Sequence, residues 1–346
     1  MSVQKDGLYA LMEAGVEKRI FPGAVLMVTQ AGQTVYRGAV GRQTYDANSP
    51  VVSPETIFDL ASVTKAIVTT GFLKLVDEGK CSLDDGLVKY FPALERSQAR
   101  DRRVRHLLTH TGAMEIRLSE AAGAGDSLEE ILNKIVVNKL ADTEVVYGNI
   151  NTFLLGKIIE QVSGLRLDEY LQVALFEPLG MTHTQFNPDE RLRAEIQPTE
   201  VVNSVLLQGV VHDESSRALG GITGHAGLFS CADDLTKFLM MWVNDGEYND
   251  VRILSADMVE LAATNRVGDN LNLQAGLGWH LNNADYLGEL FPRDTFFHPG
   301  FVGNIIAGNR KQKLTIVWLS NMVHPIRGEA KARRAFYRQL LTILFQ

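Results

Sequence analysis

Cysteine is nearly absent: Cys81 and Cys231 are the only two in 346 residues. That excludes a disulfide framework, and no C-x-x-C pair is present to hold a metal. Both cysteines lie beside helix boundaries, where a small buried thiol is expected. Positive charge is also short, with 34 Lys and Arg against 41 Asp and Glu and a net charge of −7. No global basic field therefore invites nucleic acid. The one basic run, Arg96 to Arg105, has no interleaved aromatics and reads as a solvated connector. No apolar run approaches the ~20 residues of a membrane span. The first 20 residues read as an amphipathic helix without a secretory core. A cytoplasmic protein that binds neither membrane nor nucleic acid is the expectation. G-x-S-x-G is missing too, which excludes the nucleophile elbow of α/β-hydrolases. So is H-E-x-x-H, and there is no internal repeat.

What is present is apolar: 45% of residues are hydrophobic, enough for a sizeable core and two subdomains. "GAVLMVTQ" and "QTVYRGAV" form two strand-like runs about Ala31-Gly32, a hairpin signal. "FDLASVTKAIVTTGFLKLVDEGK", residues 58–80, reads as one long apolar helix closed by Gly79. "NTFLLGKIIEQVSG" carries an apolar stripe and stops at Gly164, and "LDEYLQVALF" is stopped before Pro178. "ADDLTKFLMMWVNDG" should be capped by Ser230 or Asp233, and "SADMVELAAT" by Ser255. From about 275, "AGLGWHL", "TFFHPG", "GNIIAG" and "LTIVWLSN" are short strand-like runs, followed by a closing helix. Strands at both ends with helices between predict an α+β fold: an antiparallel sheet built from both chain ends, flanked by helices, with an inserted helical region. Residues 1–79 and 272–346 would form the sheet subdomain and 80–271 the mainly helical one.

Within the 58–80 stretch, Lys65 follows Ser62 at a spacing that places both on one helix face. An amine in apolar company costs free energy unless it is paired or loses its proton. A desolvated lysine has a lowered pKa and can take a serine proton. S-x-x-K occurs a second time at Ser2–Lys5, but only Ser62 opens an apolar helix. Tyr147-Gly148-Asn149 is the single Y-x-N. Alone it reads as a helix-entry turn, with Asn149 or Asn151 as the cap of a helix starting near Thr152. H-x-G occurs three times, at His110, His225 and His298, and only the third lies among the late strands. His110 and His225 read as loop residues or residues supporting a site. His212-Asp213-Glu214 and the pair His106/His110 have no ligand spacing, so a structural role is expected over a metal.

Ser62-Val-Thr-Lys65, Tyr147-Gly-Asn149 and His298-Pro-Gly300, in that order, resemble the S-x-x-K, Y-x-N and K-T-G or H-T-G motifs of the penicillin-recognising serine hydrolases. These include class C β-lactamases, D-alanyl-D-alanine peptidases and the β-lactamase-like (family VIII) carboxylesterases. "FPGAVLMV", "LLTHTG", "LLGKIIEQVSG", "EPLGM", "GGITGHAGLFS" and "SNMVHP" extend the resemblance over nearly the whole chain. The resemblance implies that Ser62 forms an acyl-enzyme while Lys65 and Tyr147 share general-base and general-acid work. It implies an oxyanion hole from the N–H groups of Ser62 and Phe301, after Gly300. Asn149 would bind a substrate carbonyl, and His298 would shape the field opposite Lys65. It implies no cofactor and no metal, and leaves the oligomeric state open. The chain departs from the pattern at Pro299, which removes a threonine hydroxyl, and at His298, which removes a permanent charge. Small esters or amides are therefore the expected substrates. D-amino-acid or muropeptide amides and weak β-lactam cleavage are alternatives, as is a non-catalytic binding protein on the same scaffold.

Overall fold

The computed structural model describes residues 5–288, 290–328 and 330–345. Ser2 of the second S-x-x-K copy lies outside the described residues. The N-terminal helix α1 (Lys5–Glu17) leads into β1 (Gly23–Gln30) and β2 (Gln33–Gly41), the hairpin expected about Ala31-Gly32. Five late strands complete the sheet: β3 (Gln274–Ala275), β4 (His280–Leu281), β5 (Thr295–Pro299), β6 (Ile305–Asn309) and β7 (Leu314–Ser320). Their order is β3-β4-β5-β6-β7-β1-β2, antiparallel throughout. The sheet is thus built from both ends of the chain, and the α+β expectation holds.

Side chains alternate across the pleat, so each strand feeds two cores. Ala24, Leu26, Val28, Ile316 and Trp318 pack with Leu8 and Met12 of α1 and with Phe336, Leu340 and Leu344 of the C-terminal helix Ala330–Phe345. Val25, Met27, Val317 and Leu319 face the other way, into the larger core. They meet the helices Thr64–Asp77 and Ala232–Val243 there. Both faces are covered, which is why "GAVLMV" and "LTIVWLS" read as unbroken apolar runs.

Several elements differ from their sequence reading. The 58–80 stretch is not one helix. Phe58–Asp59 is a strand paired to Ser230 and Phe229, Ala61–Val63 is a 3₁₀ turn, and the α-helix runs Thr64–Asp77. The Asp59 carboxylate explains the break, because it accepts from Ala61 N (2.8 Å) and His212 N (2.7 Å). Gly79 does take the left-handed closing conformation, at φ 72. The helix expected near Thr152 begins at Asn149, with Gly148 as its cap. Asn149 and Asn151 cannot cap it, since their side chains bond Asp213 and His110. Cys231, not Ser230 or Asp233, caps Ala232–Val243. The Ser230 hydroxyl is spent on Thr184 and Asp233 pairs with Arg37. Ser255 caps Ala256–Ala263 as expected. Pro178 does not end its segment but opens the last turn, Glu177–Leu179, after a π-helical Gln172–Phe176. Arg102, in the basic run read as solvated, is buried and clamps the carbonyls of Gly112 (2.6 Å) and Lys139 (2.9 Å).

Candidate active site

The turn before Thr64–Asp77 sets the position of Ser62. Ala61 sits at φ +46, a strained conformation for a residue with a side chain. Asp59 holds it by the bond to Ala61 N, and Asn304 locks the same turn to the sheet. Asn304 Nδ2 donates to Asp59 O (2.8 Å) while its Oδ1 accepts from Ser320 N (3.0 Å). The end of β5 then closes on this turn. A Cβ on Gly300 would lie 2.7 Å from Leu60 O, so only glycine permits that approach.

Lys65 is buried on the first turn of the following helix, and its Nζ lies 2.9 Å from Ser62 Oγ and 2.9 Å from His225 O. Desolvation pulls its pKa down to about 7, against an opposing pull from the Asp213 carboxylate. The Lys65 Nζ also sits 5.0 Å from the centre of the Tyr147 ring. Tyr147 is itself partly open to solvent. Burial around the hydroxyl raises the phenol's pKa, and contact with Ser62 lowers it only in part.

Three histidine rings enclose Tyr147: His110 at 4.9 Å, His280 at 5.6 Å and His298 at 6.2 Å between centroids. Burial lowers the pKa of His110 to about 3 and of His280 to about 4, and carries His298 well below its ordinary value. All three are therefore neutral near pH 7. The His298 Nδ1–H donates to Pro299 O (3.0 Å), which leaves Nε2 as an acceptor, not a cation.

Asp213 organises the other wall. Burial works against its charge, but contacts with His225, Ser215 and the Ser216 N–H outweigh it and hold the carboxyl ionised. Its oxygens lie 3.2 Å from His225 Nε2 and 3.3 Å from Asn149 Nδ2, so one carboxylate orients both residues. The loop carrying His225 rests directly on Asn149–Ser163, and a Cβ on Gly224 would meet Thr152 O at 1.9 Å.

Ser62, Tyr147, Pro299, Gly300 and Phe301 line one cavity of 330 Å³, roofed by Arg333, Arg334 and Tyr337. A second opening of 440 Å³ beside Tyr147 is lined by Asn149, Asp213 and Arg117. The structure therefore brings together Ser62, Lys65, Tyr147, Asn149, His298, Gly300 and Phe301. A family model described as Beta-lactamase matches residues 8–339.

The chain belongs to the Beta-lactamase family.

Within that family it is similar to a putative D-alanyl-D-alanine carboxypeptidase of Escherichia coli K12. Identity is 31% over 88% of this chain and 79% of that one. An N-acetylmuramyl-L-alanine amidase of Bacillus subtilis strain 168 is 30% identical over 88% of this chain and 78% of that one. Among solved structures, the octameric penicillin-binding protein homologue from Pyrococcus abyssi is 25% identical at a TM-score of 0.76. That match covers 98% of this chain and 77% of the other. EstCE1, described as a hydrolase with promiscuous acyltransferase activity, matches at a TM-score of 0.81 with 20% identity, over 99% and 98% of the chains, and shows the shared fold.

Sequence reasoning missed His280 and the part Asp213 plays in this site. His110 and His225, read as loop or supporting residues, abut Tyr147 and Lys65. Asp213 and His280 carried no local signal, because only the folded chain brings them within reach. His212-Asp213-Glu214 disperse: His212 bonds Glu200 (2.9 Å), Asp213 bonds His225, and Glu214 pairs with Arg327. Among the described residues, His183, Cys231 and Asp234 are grouped closely enough to hold a metal ion. The Asp234 carboxylate there is already taken by His183 N, Thr184 and Lys237. No helix among the described residues is long and apolar enough to cross a membrane.

Proposed function

We propose that the protein is a serine hydrolase that cleaves a small ester or amide through an acyl-enzyme on Ser62. The observation that carries this reading is the buried Lys65 amine, 2.9 Å from Ser62 Oγ with its pKa near 7. Unprotonated, that amine accepts the serine proton as Oγ attacks the carbonyl carbon. Tyr147, whose pKa is raised, stays protonated and is suited to hand a proton to the departing group. The N–H groups of Ser62 and Phe301 receive the carbonyl oxygen, each donor worth roughly 10²–10³ in rate. Water then releases the acyl group by the reverse proton path.

A second reading, a peptidase or amidase acting on D-amino-acid or muropeptide amides, is favoured by the names of the two curated relatives at 31% and 30% identity. A purely binding role is disfavoured by a serine, a buried amine and a phenol that are each in a chemically competent state. A fluorophosphonate should label Ser62 alone, and Ser62→Ala should abolish both labelling and turnover. Label on Ser215 or Ser230, or turnover surviving in Ser62→Ala, would overturn the assignment. Parallel rates on p-nitrophenyl esters and D-amino-acid p-nitroanilides then divide the two readings.

A further inference from the structure

We propose that His212 is a positioning residue for the oxyanion hole, its ring backing Phe301 and its N–H anchoring the turn that carries Ser62. The inference rests on the reading of Ser62 as nucleophile, and it adds a residue that touches no substrate. Phe301 sits at the tip of a tight turn after β5, in which Gly300 N donates to Asn304 O (2.8 Å) and Gly303 N to Gly300 O (3.1 Å). Among the described residues the Phe301 N–H meets no acceptor, so that donor is left for a substrate oxygen. The Phe301 side chain is 44% exposed, so its own burial does little to hold the turn in place. The ring lies instead on the imidazole of His212, with centroids 5.7 Å apart and planes 24° from parallel.

His212 is itself fixed from two directions. It is buried, and its Nε2 lies 2.9 Å from Glu200 Oε2. Burial works against the Glu200 charge, but contacts with Arg327 and His212 outweigh it and hold the carboxyl ionised. An ionised carboxylate only accepts, so Nε2 carries the proton and the ring cannot turn without losing this bond. At the backbone, His212 N donates to Asp59 Oδ2 (2.7 Å), while Asp59 Oδ1 accepts from Ala61 N (2.8 Å), one residue before Ser62. One residue therefore spans both proposed donors, with its side chain against Phe301 and its main chain tied through Asp59 to the Ser62 turn. Arg327 also approaches the Phe301 ring, at 5.7 Å, and is placed there by Glu200 and Glu214. The run His212-Asp213-Glu214, which lacks metal spacing, thus gains a role. His212, and Glu214 through Arg327, brace the oxyanion wall, while Asp213 braces the wall of Asn149 and His225.

The test reads p-nitrophenyl acetate turnover beside inhibition by phenylboronic acid, whose tetrahedral adduct with Ser62 would place an oxygen in the same hole. Acylation and deacylation both pass through an oxyanion, so kcat reports on the hole whichever step limits. His212→Ala should lower kcat by roughly 10²-fold, the cost of a ~1 Å misplacement. Phenylboronic acid should weaken by a like factor while KM holds, because only the tetrahedral state uses the donors fully. His212→Phe keeps a ring face against Phe301 and should recover most of the rate. His212→Gln keeps a donor for Glu200 without that face and should not. Wild-type kcat in His212→Ala, or His212→Gln as fast as His212→Phe, would overturn the role. Should the buried variants fail to fold, Phe301→Ala decides from the exposed side of the stack: it keeps the backbone N–H but not the ring, and should lose kcat at constant KM. Wild-type kcat in Phe301→Ala would overturn the proposal as well. Fluorophosphonate labelling of wild-type Ser62 is read alongside. No label there sinks the acyl-enzyme reading, whereas label with unaffected variants sinks only the part given to His212.

Discussion

Lys65 is the residue whose state decides the chemistry. With its amine near pKa 7 and the rings of His110, His280 and His298 already neutral, it is the group of this site that titrates around neutrality. In the proposed mechanism the active form is the unprotonated amine, so kcat/KM should rise with pH through about 7. His298→Gln should leave that limb in place, because a neutral ring sends no charge to Lys65. A limb that vanishes in this variant would assign the titration to the imidazole. Ser62, Lys65 and Tyr147 were legible because each motif is local and sits at a helix start. Asp213 was not. It acts on Asn149 from 64 residues away and on His225 from 12, and no periodicity announces such contacts. His110 was visible as H-x-G, but its role comes from a left-handed backbone (φ 57) that turns the ring onto Tyr147.

At the scale of elements, the site depends on how closely β5 approaches the turn ahead of Ser62. Gly300→Ala would place a methyl 2.7 Å from Leu60 O and 3.2 Å from Asn304 Cβ. Backbone on one side and the bridging Asn304 on the other leave no flexible group to yield. The variant should lose about 1–3 kcal/mol of stability by overpacking, read as a lower urea midpoint. A displacement approaching 1 Å would also cost roughly 10²-fold in kcat. Unchanged turnover with an unchanged midpoint would show that the two segments can separate freely. The strands and most helices were readable from apolar runs and turn residues, since the sheet is covered on both faces. Their boundaries were not. Asp59, Ser230, Asn149 and Asn151 all look like ordinary strand, helix or cap residues until their side chains find partners elsewhere in the fold.

Across the whole molecule, acid should be felt early. His110, His225 and His298 are buried and His280 is half-buried, all four with lowered pKa values, whereas in the unfolded chain they titrate near their ordinary 6.5. Below that pH the unfolded state binds protons that the fold refuses. Stability is therefore complete above about 6.5 and falls as the pH drops towards the folded values. Urea midpoints should decline between pH 7 and 5, before most carboxylates titrate, and a flat profile over that interval would contradict the burial of these rings. The α+β class was legible at this scale because strand signals cluster at the two ends of the sequence. The register that joins those ends was not. In that register β1 lies against β7, with Ala24 opposite Ser320. During synthesis, then, the apolar strand β1 must wait beside its hairpin partner, one edge unsatisfied, until β7 has been translated. Nascent chains would carry a sticky edge throughout the synthesis of everything between β1 and β7, a demand on chaperones set by topology alone.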